Sequence, residues 1–574
     1  MTFYVVLALI NIACFLPMYA LNIREQPNPF AFLRDTEYFS KATLRLLYTR
    51  KRYTDPFRIN FDFTFLMLIA SYFETTSQWA LGGLTLILVF GYVEILYSTI
   101  MLLIFRRAPS LTSDIALLKA GWSVAHRYRY LIVIATIALL AGLIVLAKAV
   151  VQYAYAFAPN GQPALLLMAT FLIAPCLYHW RGALYSEFIW RVTYSPVLHL
   201  YRNIEFSRRT KGIVAKDGEY FDRLNPFKAI RFDRGPDIVL VCIESYGSIV
   251  FKDPAMRAAI ADTAKAFNEQ LHAHDYSIAS NFTEAPIFAG GSWLSYSSLT
   301  YGTLFDDAYV YDSLFDNKSA FGSYESLFHI LERNGYANNL LCPLGGVASR
   351  YVNWDSIDRC FRPQRIFDFD SLNYQGNAHS FFVPNDLYAA PDQYSLNYAY
   401  DSISNSGSSP FSLFFCTLNS HYPWTSNFDV VGDWRQLNDQ SAPSAATGKH
   451  ADARTAYIQS IKYQLEYILK FIIDNAGDDL LLIAFGDHQP PMITPESMGK
   501  HTPIHVIARH PDLIVEFLDN GFAPTLDISD LQVVPIKHQG FLSLLMRAMN
   551  VSHGQDPELR IDYRENGTPL VDAN

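Results

Sequence analysis

The run Leu480-Leu481-Leu482-Ile483-Ala484-Phe485 leads into Gly486-Asp487-His488. Six consecutive apolar residues, closed by a turn residue, predict a strand buried on both faces of a parallel sheet. A second run of the same kind, Ile238-Val239-Leu240-Val241-Cys242-Ile243, ends in Glu244-Ser245. In open α/β sheets, ligands bind just beyond the carboxyl ends of the strands. Strand ends that deliver Glu, Asp and His to one place make a mixed oxygen and nitrogen donor set suited to a divalent metal.

The sequence around these runs has the same character. Further strands are expected at 338–342, 411–418 and 504–508. Ser323 to Arg333 reads as a helix with Ser323 as N-cap and Gly335 just past its end. Tyr457 to Ile473 reads as a longer amphipathic helix. Alternation of strands and helices implies a parallel sheet covered on both faces. The stretch 438–450, rich in Ser, Ala, Asn and Gln, reads as a loop, and no internal repeat is present.

Two more segments in this half carry chemistry-bearing residues. Gly290-Gly291-Ser292-Trp293 offers glycines that let a backbone approach a ligand, then a serine at the start of a helix. Such a helix start presents free N–H groups to a phosphate. A serine hydroxyl beside a divalent metal is also an activated nucleophile. An ordinary N-capping role for Ser292 is the alternative. Asn419-Ser420-His421-Tyr422-Pro423-Trp424 follows the expected strand 411–418. His421 there could hold a phosphate or shuttle a proton, or be structural.

The first 180 residues have a different composition. Hydrophobic residues make up 51% of the 574-residue chain and the mean hydropathy is +0.09, and this excess gathers before residue 180. Five spans are expected, at 2–20, 61–77, 79–105, 130–156 and 163–180. The first has no basic flank or small-residue cleavage site and reads as a retained helix. The segment 181–235 mixes Arg with aromatic residues and suits an interfacial connector to a domain at 236–574. The formal net charge of −9 argues against nucleic acid as a partner.

Arg and Lys cluster in 22–59 and 106–129. The positive-inside rule would put both segments, and after five crossings the C-terminal domain, in the cytoplasm. A segment that does not cross fully, or basic loops on anionic headgroups outside, would reverse that outcome. The six cysteines form no metal-binding framework. Only Cys342 and Cys360 lie in loop-like sequence, where a disulfide and two free thiols are both open.

Glu244-Ser245, Gly290-Gly291-Ser292, Ser420-His421-Tyr422-Pro423 and Gly486-Asp487-His488, in that order behind a multi-span region, resemble the sulfatase-like branch of the alkaline phosphatase superfamily. Within it the chain is most similar to the group of lipoteichoic acid synthases and glucan phosphoglycerol transferases. The resemblance implies an α-helical transmembrane region of about five spans, then an α/β sulfatase-like domain with a mostly parallel sheet. It implies one divalent metal, manganese first, with zinc or magnesium as alternatives, on Glu244, Ser292, Asp487 and His488. It assigns His421 to the substrate phosphate, and Asp386, Arg350 and Trp354 to substrate binding. The family's nucleophile is Thr, and here Ser292 takes its place.

The activity so implied is transfer of phosphoglycerol from a membrane phospholipid, phosphatidylglycerol, to a glycan through a phospho-Ser292 intermediate. The site would lie outside a bacterial inner membrane, where such a lipid and a glycan meet. Phosphoethanolamine transfer on the same fold is the first alternative. A non-catalytic glycan- or partner-binding membrane protein is the second. The motif of sulfatases themselves is missing, because Ser292 to Tyr296 contains neither its Pro nor its Arg.

Overall fold

The computed structural model describes residues 2–25, 59–105 apart from 75–76, 129–158, 193–197 and, with short gaps, 218–570, together with scattered positions within 109–118, 162–166 and 200–204. The chain divides into two compact units, the second holding Arg209–Asn574 and two short earlier stretches.

In the first unit, apolar helices span Thr2–Glu25, Phe61–Tyr72, Gln78–Phe105 and Arg129–Ala156. Gln78–Met101 and Tyr130–Ala156 are long and apolar enough to cross a bilayer. The latter exposes Leu131, Ile134, Leu139 and Val145 along its length, a surface suited to lipid rather than water. Phe61–Tyr72, at 12 residues, is shorter than the expected span 61–77 and too short to cross alone. Asn60 ends the chain's approach to that helix: its side chain accepts the Phe63 N–H, and its own N–H donates to Asn11. Most of the expected span 163–180 lies outside the described residues, as do most of the basic segments.

The second unit is built on an eight-stranded sheet in the order 536–537, 277–284, 501–508, 480–486, 237–243, 411–416, 337–341, 365–367. The four expected strands 238–243, 338–342, 411–418 and 480–485 pair in parallel at its centre, within two residues of their expected bounds. The fifth, observed as His501–Ala508, runs antiparallel to both neighbours. Among the described residues, no helix long enough for a crossover separates it from Leu480–Gly486, in keeping with a simple chain reversal.

Both faces of the sheet are buried. In Asp237–Ile243, residues Ile238, Leu240 and Cys242 join one apolar cluster with helices Ser292–Tyr301, Leu327–Arg333 and His538–His553. Val239, Val241 and Ile243 join the opposite cluster with Pro254–Ala273, Asp392–Ser404 and Ala453–Asp474. The central strands can therefore be apolar throughout.

Two helix starts differ from expectation. The helix expected from Ser323 begins at Leu327, behind a 3-10 turn at Ala320–Ser323. Ser323 spends its hydroxyl on the Gly218 carbonyl, while Ser326 takes the capping place and donates its N–H to His329. The helix expected from Tyr457 begins at Ala453, because Asp452 accepts the Thr455 N–H. The stretch 218–232, expected as connector, contributes Phe221, Phe227, Ile230 and Phe232 to the domain core. Cys342 and Cys360 are free thiols. The expected loop 438–450 falls almost wholly outside the described residues.

Candidate active site

The site forms where the neighbouring strands Asp237–Ile243 and Leu480–Gly486 end side by side. Gly486 pairs with Ile243 in the parallel register, so Glu244 and Asp487 leave the sheet next to each other. The approach is close. A Cβ on Gly486 would lie 1.9 Å from the Tyr246 carbonyl oxygen, so no other residue fits there.

Three backbone N–H groups, each donating to a side-chain oxygen, fix the strand ends. Ser245 adopts a left-handed conformation (φ 59°) and donates its N–H to Asp487 Oδ1 at 2.8 Å. The His488 N–H donates to the same oxygen at 2.7 Å. The Glu244 N–H donates to Thr417 Oγ1 at 3.1 Å, which ties in the third strand end. Tyr457 supports the turn from below, donating its hydroxyl to the Ser245 carbonyl.

Ser292 arrives from the other side. Gly290 and Gly291 carry φ values of 66° and 80°, a left-handed pair that turns the chain into the helix Ser292–Tyr301. The Ser292 hydroxyl donates to Glu244 Oε2 at 2.9 Å and lies 3.5 Å from His488 Nε2. Ser295, one turn on, donates to the Asp487 carbonyl and fixes the helix against the same strand end.

Glu244, Asp487 and His488 are all buried, with donor atoms within 4.8 Å of one another. His488 Nε2 lies 3.3 Å from Asp487 Oδ2 and 3.5 Å from Glu244 Oε1. Its Nδ1 is 2.9 Å from the Gln489 carbonyl, which can only accept, so the proton sits on Nδ1 and Nε2 points at the carboxylates.

Electrostatics mark this cluster as short of positive charge. Burial, then the neighbouring Glu244 charge, pushes the Asp487 carboxyl up to about 7. Burial acts to lower the His488 ring, but Asp487 and Glu244 outweigh it and raise the ring above its ordinary value. Asp487 Oδ2 is buried and accepts no hydrogen bond of good geometry. Two buried carboxylates, an orphaned oxygen, an inward imidazole nitrogen and a serine hydroxyl fit a small divalent cation.

His421 sits on the turn after strand Phe411–Cys416, its Nδ1–H donating to the Tyr422 carbonyl at 2.6 Å. Burial lowers its pKa and so does His488, against the Tyr422 carbonyl and Asp487, which act the other way. The ring therefore shares the electrostatic neighbourhood of the cluster. Trp354 opens the helix Trp354–Phe361. Arg350, Asp386 and the Trp354 side chain lie outside the described residues.

Sequence reasoning missed the supports. Thr417 and Tyr457 carry no signal in one sequence. Ser245 stands in the sequence simply as the residue after Glu244, and its left-handed backbone is invisible without coordinates.

Fold and site define an α/β domain with a serine poised beside a buried carboxylate and imidazole cluster, joined to apolar helices of membrane length. No protein-family profile and no curated protein matches the chain in sequence. Solved structures do resemble it. The integral membrane lipooligosaccharide phosphoethanolamine transferase A from Neisseria meningitidis is 14% identical over 94% of this chain and 98% of its own, with a TM-score of 0.44. The lipoteichoic acid synthase LtaP from Listeria monocytogenes is 13% identical over 50% of this chain and 71% of its own, at 0.35. The phosphoglycerol transferase GacH from Streptococcus pyogenes is 11% identical over 61% and 84%, at 0.34.

Proposed function

We propose that the chain is a membrane-anchored phosphotransferase. In this reading Ser292 is the nucleophile, and it moves phosphoglycerol from phosphatidylglycerol to a glycan hydroxyl. The observation that carries the reading is the Ser292 hydroxyl, 2.9 Å from Glu244 Oε2 and 3.5 Å from His488 Nε2 at the mouth of a buried anionic cluster.

Glu244, Asp487, His488 and Ser292 would hold one divalent cation, manganese by the family resemblance. When bound, that cation supplies Lewis-acid stabilisation of the phosphoryl oxygens and of the serine alkoxide. The remaining work falls to the chain. Glu244 Oε2 already accepts the hydrogen bond of the Ser292 hydroxyl, and it takes that proton as Oγ attacks. Ser292 Oγ attacks phosphorus, an Oγ–P bond forms, and the bond to the diacylglycerol oxygen breaks. His421, whose Nδ1–H is held by the Tyr422 carbonyl, presents Nε2 to the phosphoryl group. Unprotonated at Nε2, it takes the proton of the acceptor hydroxyl in the second displacement. In that step the acceptor O–P bond forms, the Oγ–P bond breaks and Ser292 Oγ recovers its proton from Glu244, while the diacylglycerol oxygen released in the first displacement takes its proton from water. Asp386, Arg350 and Trp354 would contribute to headgroup and phosphate binding.

The apolar helices hold the enzyme at its lipid donor. In this reading 1–180 lies in the membrane, the connector ends before residue 218, and the catalytic domain, which includes 218–232, stands on the extracytoplasmic side of a bacterial inner membrane.

The test is release of diacylglycerol from labelled phosphatidylglycerol in mixed micelles with Mn²⁺, by wild type and by Ser292→Ala. Release by wild type alone supports the reading. Turnover of phosphatidylethanolamine instead would move the activity to phosphoethanolamine transfer. No turnover of either lipid would leave a binding protein.

A further inference from the structure

Asp392 lies at the start of helix Asp392–Ser404 and is fully buried. Its backbone partners lie on one short turn. Oδ1 accepts the Leu418 N–H at 3.0 Å, and Oδ2 accepts the Asn419 N–H at 2.8 Å. In return the Asp392 N–H donates to Asn419 Oδ1 at 2.8 Å. Gln464, on helix Ala453–Asp474, donates to Oδ2 at 2.7 Å. Asn419 is held again from the far side, its amide nitrogen 2.8 Å from His379 Nε2.

These bonds grip the segment between Thr417, which accepts the Glu244 N–H, and His421. The His421 N–H closes the turn on the Leu418 carbonyl at 3.1 Å, and the Trp424 indole donates to the Ser420 carbonyl at 2.8 Å. A buried ionised carboxylate is costly unless its oxygens are filled with donors. Here neutral donors fill them, from two successive backbone amides and one side-chain amide. Burial pushes the Asp392 carboxyl up to about 6 against these three donors, so above that pH it is ionised and its bonds hold the turn more firmly than neutral ones would, since bonds to an ionised acceptor are about twice as strong.

We propose that Asp392 is a positioning residue: through the amides of Leu418 and Asn419 it sets the place of His421 over the reacting phosphoryl group. The effect on turnover rests on the phosphotransferase reading above. The grip on the turn does not.

The test uses the full-length chain in detergent, with Asp392→Asn, Asn419→Ala, His421→Ala and the double variant Asp392→Asn/His421→Ala. Asp392→Asn keeps the shape but turns an NH₂ group toward amide donors. Amide hydrogen exchange is followed in 411–424 and, as a control, in 480–486. The expected result is exchange about tenfold faster at Leu418 and Asn419 with the control strand unchanged. Diacylglycerol release from phosphatidylglycerol should fall about tenfold or more, and the double variant should be no slower than His421→Ala alone. Asn419→Ala should give the same pattern at smaller size and carries the test if Asp392→Asn does not fold. Unchanged exchange at the turn, or losses that multiply in the double variant, would overturn the proposal. If wild type turns over no phospholipid, the phosphotransferase reading fails, and the exchange measurement still decides whether Asp392 holds the turn.

Discussion

The Ser245 amide donates to Asp487 Oδ1 across 2.8 Å, although the two residues are 242 positions apart in the chain. This bond joins the ends of two parallel strands, so the sheet register itself sets the spacing of the carboxylates. With Glu244 leaving one strand and Asp487 the other, neither can move without disturbing the sheet. The cluster is thus preorganised, and its two carboxylates are held close whether or not a cation is present to favour it.

Ser292→Ala should lower diacylglycerol release on the order of 10⁴-fold or more, the usual consequence of removing a nucleophile. The cation also loses one of its holding groups, so Mn²⁺ affinity by calorimetry should fall, and the activity comparison is made at saturating Mn²⁺, with Glu244, Asp487 and His488 still in place. Ser292→Thr should keep substantial activity, since it retains a hydroxyl on the same carbon. Diacylglycerol release by Ser292→Ala at the wild-type rate would contradict the nucleophile role.

The centre of the sheet was legible in the sequence because its strands are buried on both faces and so are apolar throughout. Asp237–Ile243 and Leu480–Gly486 needed no other signal. Ser277–Glu284 was not legible, although it lies inside the same sheet. Its buried polar side chains are satisfied by partners distant in sequence: Ser280 Oγ pairs with His505 Nδ1 at 2.7 Å, and Asn281 donates to the Gly521 and Val534 carbonyls. Polarity there reads as a loop until the partners are known. The four clustered residues were legible because each ends a strand or starts a helix. Thr417, Tyr457 and Asp392, which hold them or their neighbours, act through backbone groups, and nothing in a single sequence reports that.

Metal-free protein should become less stable as pH rises. The folded Asp487 carboxyl, pushed up to about 7, lies above its unfolded value of 3.8, and the His488 ring is also raised. Groups with raised folded values contribute stability below the unfolded value and lose it as pH climbs through the folded one. For Asp487 the loss runs from about pH 4 to just above 7, and for His488 it begins near 6.5. Its size should be on the order of a few kcal/mol. Thermal melts in chelator from pH 5 to 8 should show a falling midpoint, and Mn²⁺ should restore most of the fall. Asp487→Asn should flatten the profile. A profile unchanged by that substitution would remove Asp487 as its source.

Thr417→Val should weaken the site without touching a reacting group. The Glu244 N–H donates to Thr417 Oγ1 at 3.1 Å in a fully buried position. Valine has nearly the same shape and cannot accept, so a buried donor is left unsatisfied at a cost of about 1–3 kcal/mol. Urea unfolding should detect that loss, and Mn²⁺ affinity should fall with it, because Glu244 is no longer held against the neighbouring strand.

Gly486→Ala tests the strand crossing itself. An added Cβ would sit 1.9 Å from the Tyr246 oxygen and 2.8 Å from its carbonyl carbon, both backbone atoms that cannot rotate away. Relief requires the two strand ends to separate, which also lengthens the Ser245 to Asp487 bond. Overpacking of this kind costs about 1–3 kcal/mol or more. The expected outcome is a lower unfolding midpoint together with a loss of activity larger than the stability change alone would give at a temperature where the variant is still folded. If Gly486→Ala instead melts and turns over like wild type, the close approach of the two strand ends is not what holds the carboxylates in place.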